Sequence, residues 1–257
     1  MLLLLLACTP TAPAQASTFH TVVVGPWVVR GDGDPVEVER RAENTVRWAH
    51  ELLKVEYFPQ DPPHPVDVWL YKDARSYEKH VFETFGEHPD TPYGFANERG
   101  LFMDISTGGG TLVHEMVHPL MGANFPACPP WYNEGLASLY EAVGERQGQL
   151  HGFPNWRLPG LKEHIRAGSL MSLEDLMAQS SRQFYDEDPG SNYSQSRYLL
   201  YYLQERGKLH DYHRALVANI EQDPTGIETL KQVLGREDLD VFQVEWEQWV
   251  LEITYER

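Results

Sequence analysis

His114, Glu115 and His118 fall within one five-residue run, HEMVH, whose spacing puts both imidazoles on the same face of a helix, one turn apart. Imidazoles four residues apart can hold one metal ion, and Glu115 beside them is angled towards a water in a coordination position that the protein leaves open. The chemistry written in this spacing is metal-assisted hydrolysis with a carboxylate as general base. A chain this rich in His and Glu shows the pattern by chance at roughly the 4% level, so a second, independent element is needed to support it.

That element follows Pro129-Pro130, a natural break before a new helix, and reads WYNEGLASLYE over 131–141. Glu134 would supply a third ligand, and a His, His, Glu set with a vacant fourth position is a standard catalytic zinc combination. Leu136, Leu139 and Tyr140 form an apolar stripe, while Glu134, Ser138 and Glu141 recur at helical spacing on another side, predicting one packed and one polar face. Pro119 has no amide hydrogen and disfavours helical geometry at His118, so the first helix is expected to end there. Cys128 lies between the ligand candidates but reads as a partly buried loop thiol, because the three protein positions of such a site are already filled.

These motifs resemble those of the gluzincin metallopeptidases. WYNEGLASLYE is similar to the WxNEGFAxYxE segment of the aminopeptidase N family and to the shorter EGLA segments of peptidase MA-like proteins. The resemblance implies His114, His118 and Glu134 as ligands of Zn²⁺, Glu115 as general base, and a zincin-like fold with two lobes about a cleft. The fifteen residues 119–133 between His118 and Glu134 are fewer than in aminopeptidase N, which points to a compact relative. Further on, YSQSRYLLYYL over 193–203 is similar to the YxKGxxLLxxL helix of aminopeptidase-like gluzincins, although Gln195 and Ser196 replace its Lys and Gly. That similarity implies Tyr193 as the donor to the oxyanion, with Tyr198 as the alternative, while helical spacing alone makes the same stretch a buried amphipathic helix. The string Gly94-Phe95-Ala96-Asn97-Glu98 matches the amino-terminus-binding GxMEN loop poorly and is read as a loop, which leaves exopeptidase activity unsupported and an endopeptidase expected.

The elements that must position these residues can be read from periodicity. Thr21 to Arg30 is a Val-rich strand broken at Gly25-Pro26, followed by a helix over about Val36 to Tyr57. Val66 to Tyr71 reads as a buried strand, Asp73 as the N-cap of a helix through Phe85, and Gly100 to Ile105 as a strand leading into Gly108-Gly109-Gly110 and the HEMVH helix. In the gluzincin resemblance the strand before that helix lines the cleft, so Gly100 to Ile105 is expected to be the edge strand that pairs with substrate. Packing helices follow over 158–177 and 227–251, with Gly168, Gly226 and Gly235 as breaks and Trp246 and Trp249 as packing residues. The expected fold class is α+β: a leader over 1–17, an N-terminal sheet and helix lobe over 18–106, and the catalytic helix with a mainly helical lobe over 107–257.

Composition limits the function classes. A formal charge of −17 argues against nucleic-acid binding and favours a soluble protein that repels anionic membranes and polyanions, while the gluzincin resemblance implies a peptide or protein substrate. No GxSxG elbow supports a serine hydrolase. Five leucines after Met1 are too short a run to span a bilayer but suit export. Leu5-Leu6-Ala7-Cys8 resembles a bacterial lipobox that would anchor the protein through a lipid on Cys8, while Ala14-Gln15-Ala16 resembles a signal-peptidase site. The expectation is therefore an exported zinc peptidase of the cell envelope or secreted. Its alternative is a catalytically silent zinc-bearing module that binds partners at the cell surface.

Overall fold

The computed structural model describes residues 19–187 and 190–255, and the leader over 1–17 with Cys8 lies outside the described residues. The N-terminal part is β1 (His20–Val24), β2 (Trp27–Gly31), α1 (Pro35–Arg41), α2 (Trp48–Glu56), β3 (Val66–Tyr71), α3 (Ala74–Phe85), β4 (Gly94–Asn97) and β5 (Gly100–Asp104). Next come α4 (Gly110–Asn124), α5 (Pro130–Leu139), the hairpin β6 (Val143–Arg146) and β7 (Gln149–Gly152), α6 (Leu158–Ala167), α7 (Leu173–Met177) and α8 (Ser181–Asp186). The chain closes with α9 (Asn192–Glu205), α10 (Leu209–Asn219), α11 (Ile227–Leu234) and α12 (Leu239–Glu252). The result is a mixed α/β protein with an N-terminal sheet and a helical C-terminal part.

Local chemistry accounts for most boundaries. Gly25-Pro26 turns the first valine run back on itself, so it forms two antiparallel strands, with Val24 opposite Trp27. Asp34 accepts the Val36 N–H at 3.0 Å with Pro35 at the first helical position, which starts α1, and a π-helical stretch over Ala42–Arg47 joins α1 to α2 without a break. Asp73 accepts the Ser76 N–H at 2.8 Å to start α3, and Gly86, left-handed at φ 80°, ends it.

The strand order is β1-β2-β3-β5-β4, with β2, β3 and β5 parallel and antiparallel strands at both edges. This corrects the expected edge. The strand over 100–104 is inserted between β3 and β4, and the edge is Gly94–Asn97, the string read from sequence as a loop. The physical reason is burial: Leu101, Phe102 and Met103 are all at most 2% exposed, and a strand apolar on both faces must be covered on both. Successive side chains divide between two clusters. Val29, Val68, Leu70, Leu101 and Met103 join the main core with α2 and α4, while Tyr71 and Phe102 pack on the other face with Tyr77 and Val81 of α3.

In the helical part α5 and α9 lie against each other, and the approach needs Gly135. A methyl group there would stand 3.1 Å from Leu200 Cδ1 and 3.2 Å from Ser196 Cβ. Trp246 is fully buried and donates from Nε1 to the Tyr198 carbonyl at 3.2 Å, in keeping with its reading as a packing residue. Among the described residues no helix is long and apolar enough to cross a membrane.

Candidate metal centre

Helix α4 does not stop at His118. It runs for 15 residues with Pro119 inside it, correcting the expectation from sequence. Leu120 and Met121 beyond the proline are buried in the main core, and Asn124 ties the last turn down, donating to the Leu120 carbonyl and to the Gln60 carbonyl, both at 2.8 Å. Burial of this last turn offsets the hydrogen bond that proline removes. His118 therefore keeps helical geometry, and its ring centroid lies 5.1 Å from that of His114.

The start of α4 is fixed by a close approach. A side chain at Gly110 would meet the Glu141 carbonyl oxygen at 1.8 Å, so only glycine lets this turn rest against the chain leaving α5. That contact brings the NEGLA helix onto the histidines. The polar face expected for α5 is accordingly not solvated: Glu134 is 5% exposed and Ser138 fully buried, because that face is turned towards α4 and the interior.

Glu134 Oε2 lies 3.5 Å from His114 Nε2 and 3.9 Å from His118 Nε2. Donors about 2.0–2.2 Å from a tetrahedral ion stand about 3.3–3.6 Å from one another, so Glu134 Oε2 lies within a few tenths of an ångström of that separation from each imidazole. His114, Glu115 and His118 also form a group that could hold a metal ion. Glu134 Oε2, facing both Nε2 atoms, adds a further donor beside that group. Glu115 follows His114 directly, where helical neighbours point in different directions, and its Oε2 lies 3.9 Å from His118 Nε2, as far as Glu134 Oε2 does. That position suits a base beside an open site.

The far nitrogens of both rings meet acceptors. His118 Nδ1 is 3.1 Å from Asn133 Oδ1, and His114 Nδ1 is 3.4 Å from Glu141 Oε1, an ion-pair contact without a well-aligned hydrogen bond. Such partners favour a proton on Nδ1 and leave the Nε2 lone pair for a metal. Glu141 is itself held by Arg157, which donates from Nε at 2.8 Å and from Nη2 at 2.7 Å, and by Asn155 Nδ2 at 2.8 Å. Burial works to raise the Glu141 pKa, yet Arg157 and His114 hold it well below the usual carboxylate range. Burial likewise works to lower the His114 pKa, but Glu134 and Glu141 outweigh it and push it up to about 10. Two carboxylates thus call for positive charge at this ring. Burial raises Glu115, whereas Glu134, despite its burial, is lowered, chiefly by His114.

The centre forms part of the wall of a cleft of about 1700 Å³ lined by His114, Glu115, His118, Glu134 and all of β4. No protein-family model matches the chain, and no curated protein matches it either.

Tyr193, at the start of α9, lines this cleft, with Arg157 Cζ 5.2 Å from its ring centroid. Tyr198 does not line it: its buried hydroxyl accepts the Asn155 N–H at 3.0 Å, which removes it as the alternative donor. Cys128 remains a partly buried thiol, 3.5 Å from the Pro129 carbonyl, and burial pushes its pKa up.

A second tyrosine, unforeseen from sequence, does reach the centre. Tyr185 of α8 donates to Glu134 Oε1 at 2.9 Å and lines the cleft. The Ser180 and Gln183 capping box signals this short helix, but nothing in SRQFYD marks Tyr185 among its neighbours. By occupying Oε1 the hydroxyl leaves Oε2 to the histidines, so Tyr185→Phe is expected to weaken the affinity for a divalent metal ion by roughly 10–100-fold. Competition with a chelating indicator would measure this, and unchanged affinity would show that the contact does not orient Glu134.

Proposed function

We propose that this protein is a zinc-dependent peptidase of the gluzincin type, zincin-like in architecture, with Zn²⁺ held by His114, His118 and Glu134. The observation that carries this reading is the convergence of both Nε2 atoms on one Glu134 oxygen, at 3.5 and 3.9 Å, beside a cleft that runs along an open sheet edge. Zn²⁺ suits a His, His, Glu donor set, and when bound it supplies a Lewis acid that polarises a carbonyl and lowers the pKa of water. Glu115 takes a proton from the attacking water and hands it to the nitrogen of the breaking C–N bond, so that a neutral amine departs. Tyr193 donates to the carbonyl oxygen as it gains negative charge.

The open edge supports an extended peptide as the substrate. Tyr93 accepts the Asp104 N–H, so by the alternation of an antiparallel ladder Phe95 and Asn97 also face β5, and the N–H and C=O of Gly94 and Ala96 point outwards. A peptide can add there as a further strand beside the metal centre. The leader belongs to the same reading, making this an exported peptidase, anchored through Cys8 or released after Ala16.

Purified protein is expected to carry about one zinc per chain and to cleave members of a peptide library, with cleavage lost to a chelator and restored by added Zn²⁺. A protein without zinc affinity would sink this reading. One that binds zinc stoichiometrically yet cleaves nothing would be a silent binding module instead.

A further inference from the structure

The face of the sheet that carries α3 bears a row of rings running to the open edge. Arg30, Trp69, Phe102 and Phe95 stand opposite one another across β2, β3, β5 and β4. The Trp69 and Phe102 rings are nearly parallel, 7° apart with centroids at 6.4 Å, and Phe102 and Phe95 are 16° apart at 5.1 Å. Arg30 closes the inner end, its Cζ 5.1 Å from the Trp69 centroid. At the other end the row stops at Phe95 because the sheet stops there. Phe95 is left partly exposed, and it lines the same cleft as His114, His118 and Glu134.

An extended peptide paired with β4 would lie about 4.8 Å beyond it, with side chains alternating between the two faces. The residue in register with Phe95 must fall on the α3 face, as the next member of the row, while its two neighbours turn towards α4 and the metal centre. Directly opposed side chains on adjacent strands have Cβ atoms about 4.5–5.5 Å apart, which is stacking range for rings. Phe95 itself is backed by Phe85, with ring centroids 5.8 Å apart, and Arg99 covers Phe85 with its Cζ 5.2 Å from that ring. An aromatic side chain gains offset stacking on Phe95. An aliphatic one gains only burial, and a small one leaves Phe95 against water.

We propose that the cleft selects peptides with an aromatic residue at the position in register with Phe95, next to a residue that faces the metal centre. This subsite rests on the peptidase reading above and adds its specificity. Two measurements on the zinc-loaded protein test it: cleavage-site profiling of a peptide library, and fluorescence titration of Glu115→Gln with labelled peptides carrying Phe or Ala at each position in turn. Phe, Tyr and Trp are expected to be enriched at one fixed distance from the cleaved bond. The Phe peptide should bind roughly tenfold more tightly than its Ala counterpart at that position alone. In Phe95→Leu, which keeps an apolar strand residue, and in Phe95→Ala the ratio should fall towards one. Cleavage without an aromatic preference, or a preference that survives in Phe95→Leu, overturns the subsite and leaves the peptidase reading standing. Selective binding without cleavage keeps the subsite and overturns the peptidase reading, and neither binding nor cleavage overturns both.

Discussion

Glu115→Gln is expected to leave the protein folded and zinc-loaded while lowering peptide cleavage by roughly 10²–10⁴-fold, the usual contribution of a positioned general base. The substitution keeps the shape of a side chain that is 8% exposed and removes a charge that burial already disfavours, so the fold loses nothing by it. It also separates the two carboxylates that border the centre. Glu134 Oε2 makes ion-pair contacts with both Nε2 atoms, at 3.5 and 3.9 Å, whereas Glu115 makes one with His118 alone, so Glu134→Gln should release zinc where Glu115→Gln retains it. Zinc stoichiometry after dialysis and single-turnover cleavage of one peptide measure the two effects independently. Parent-like cleavage by Glu115→Gln would remove the general base from the mechanism. Loss of zinc from the same variant would mean that Glu115, not Glu134, completes the ligand set.

The parts of this site that could be read from sequence are those set by local spacing. HEMVH, the NEGLA helix after Pro129-Pro130, the Asp73 cap and the helix that begins near Tyr193 each depend on residues within a turn or two of one another, and each stands where the pattern placed it. Two expectations failed because a distant partner decided them. Pro119 should have ended α4, but Leu120 and Met121 are held by the core from the far side. The edge strand was misassigned because chain order does not reveal that β5 inserts between β3 and β4. A local sign was available there: Leu101-Phe102-Met103 is apolar without alternation, the mark of a covered strand, whereas Ala96-Asn97 is small and polar. The supports of the ligands were the least legible. Tyr185, Arg157 and Asn155 come from segments 14 to 51 residues away from the carboxylates they touch, and no periodicity links them.

Arg197→Leu is expected to destabilise the protein by about 3 kcal/mol, although Arg197 touches neither ligand nor cleft. Its guanidinium is fully buried and donates to three main-chain carbonyls, through Nη1 to Ser138 and Leu139 at 2.8 Å each and through Nη2 to Phe153. Two opposing effects compete in the substitution. Leucine spares the desolvation of a cation, and burial already lowers the Arg197 pKa. It also strands the Leu139 and Phe153 carbonyls in the interior, at about 1–3 kcal/mol each, and leaves the Ser138 carbonyl to the Glu141 N–H at 3.2 Å. The second effect prevails because the loss at these carbonyls exceeds what removal of a single delocalised, weakly hydrated cation returns. Ser138 and Leu139 end α5, so the same loss loosens the turn that carries Glu141 back to His114 Nδ1. Urea unfolding of the zinc-free protein measures the stability change, and zinc affinity should fall with it as Glu141 loses its fixed place. Arg197→Lys should recover only part of the stability, since an ammonium cannot span the fork that reaches from α5 to Phe153. A leucine variant within about 0.5 kcal/mol of the parent would mean that the Leu139 and Phe153 carbonyls find other donors, and that α5 needs no cation to hold its end.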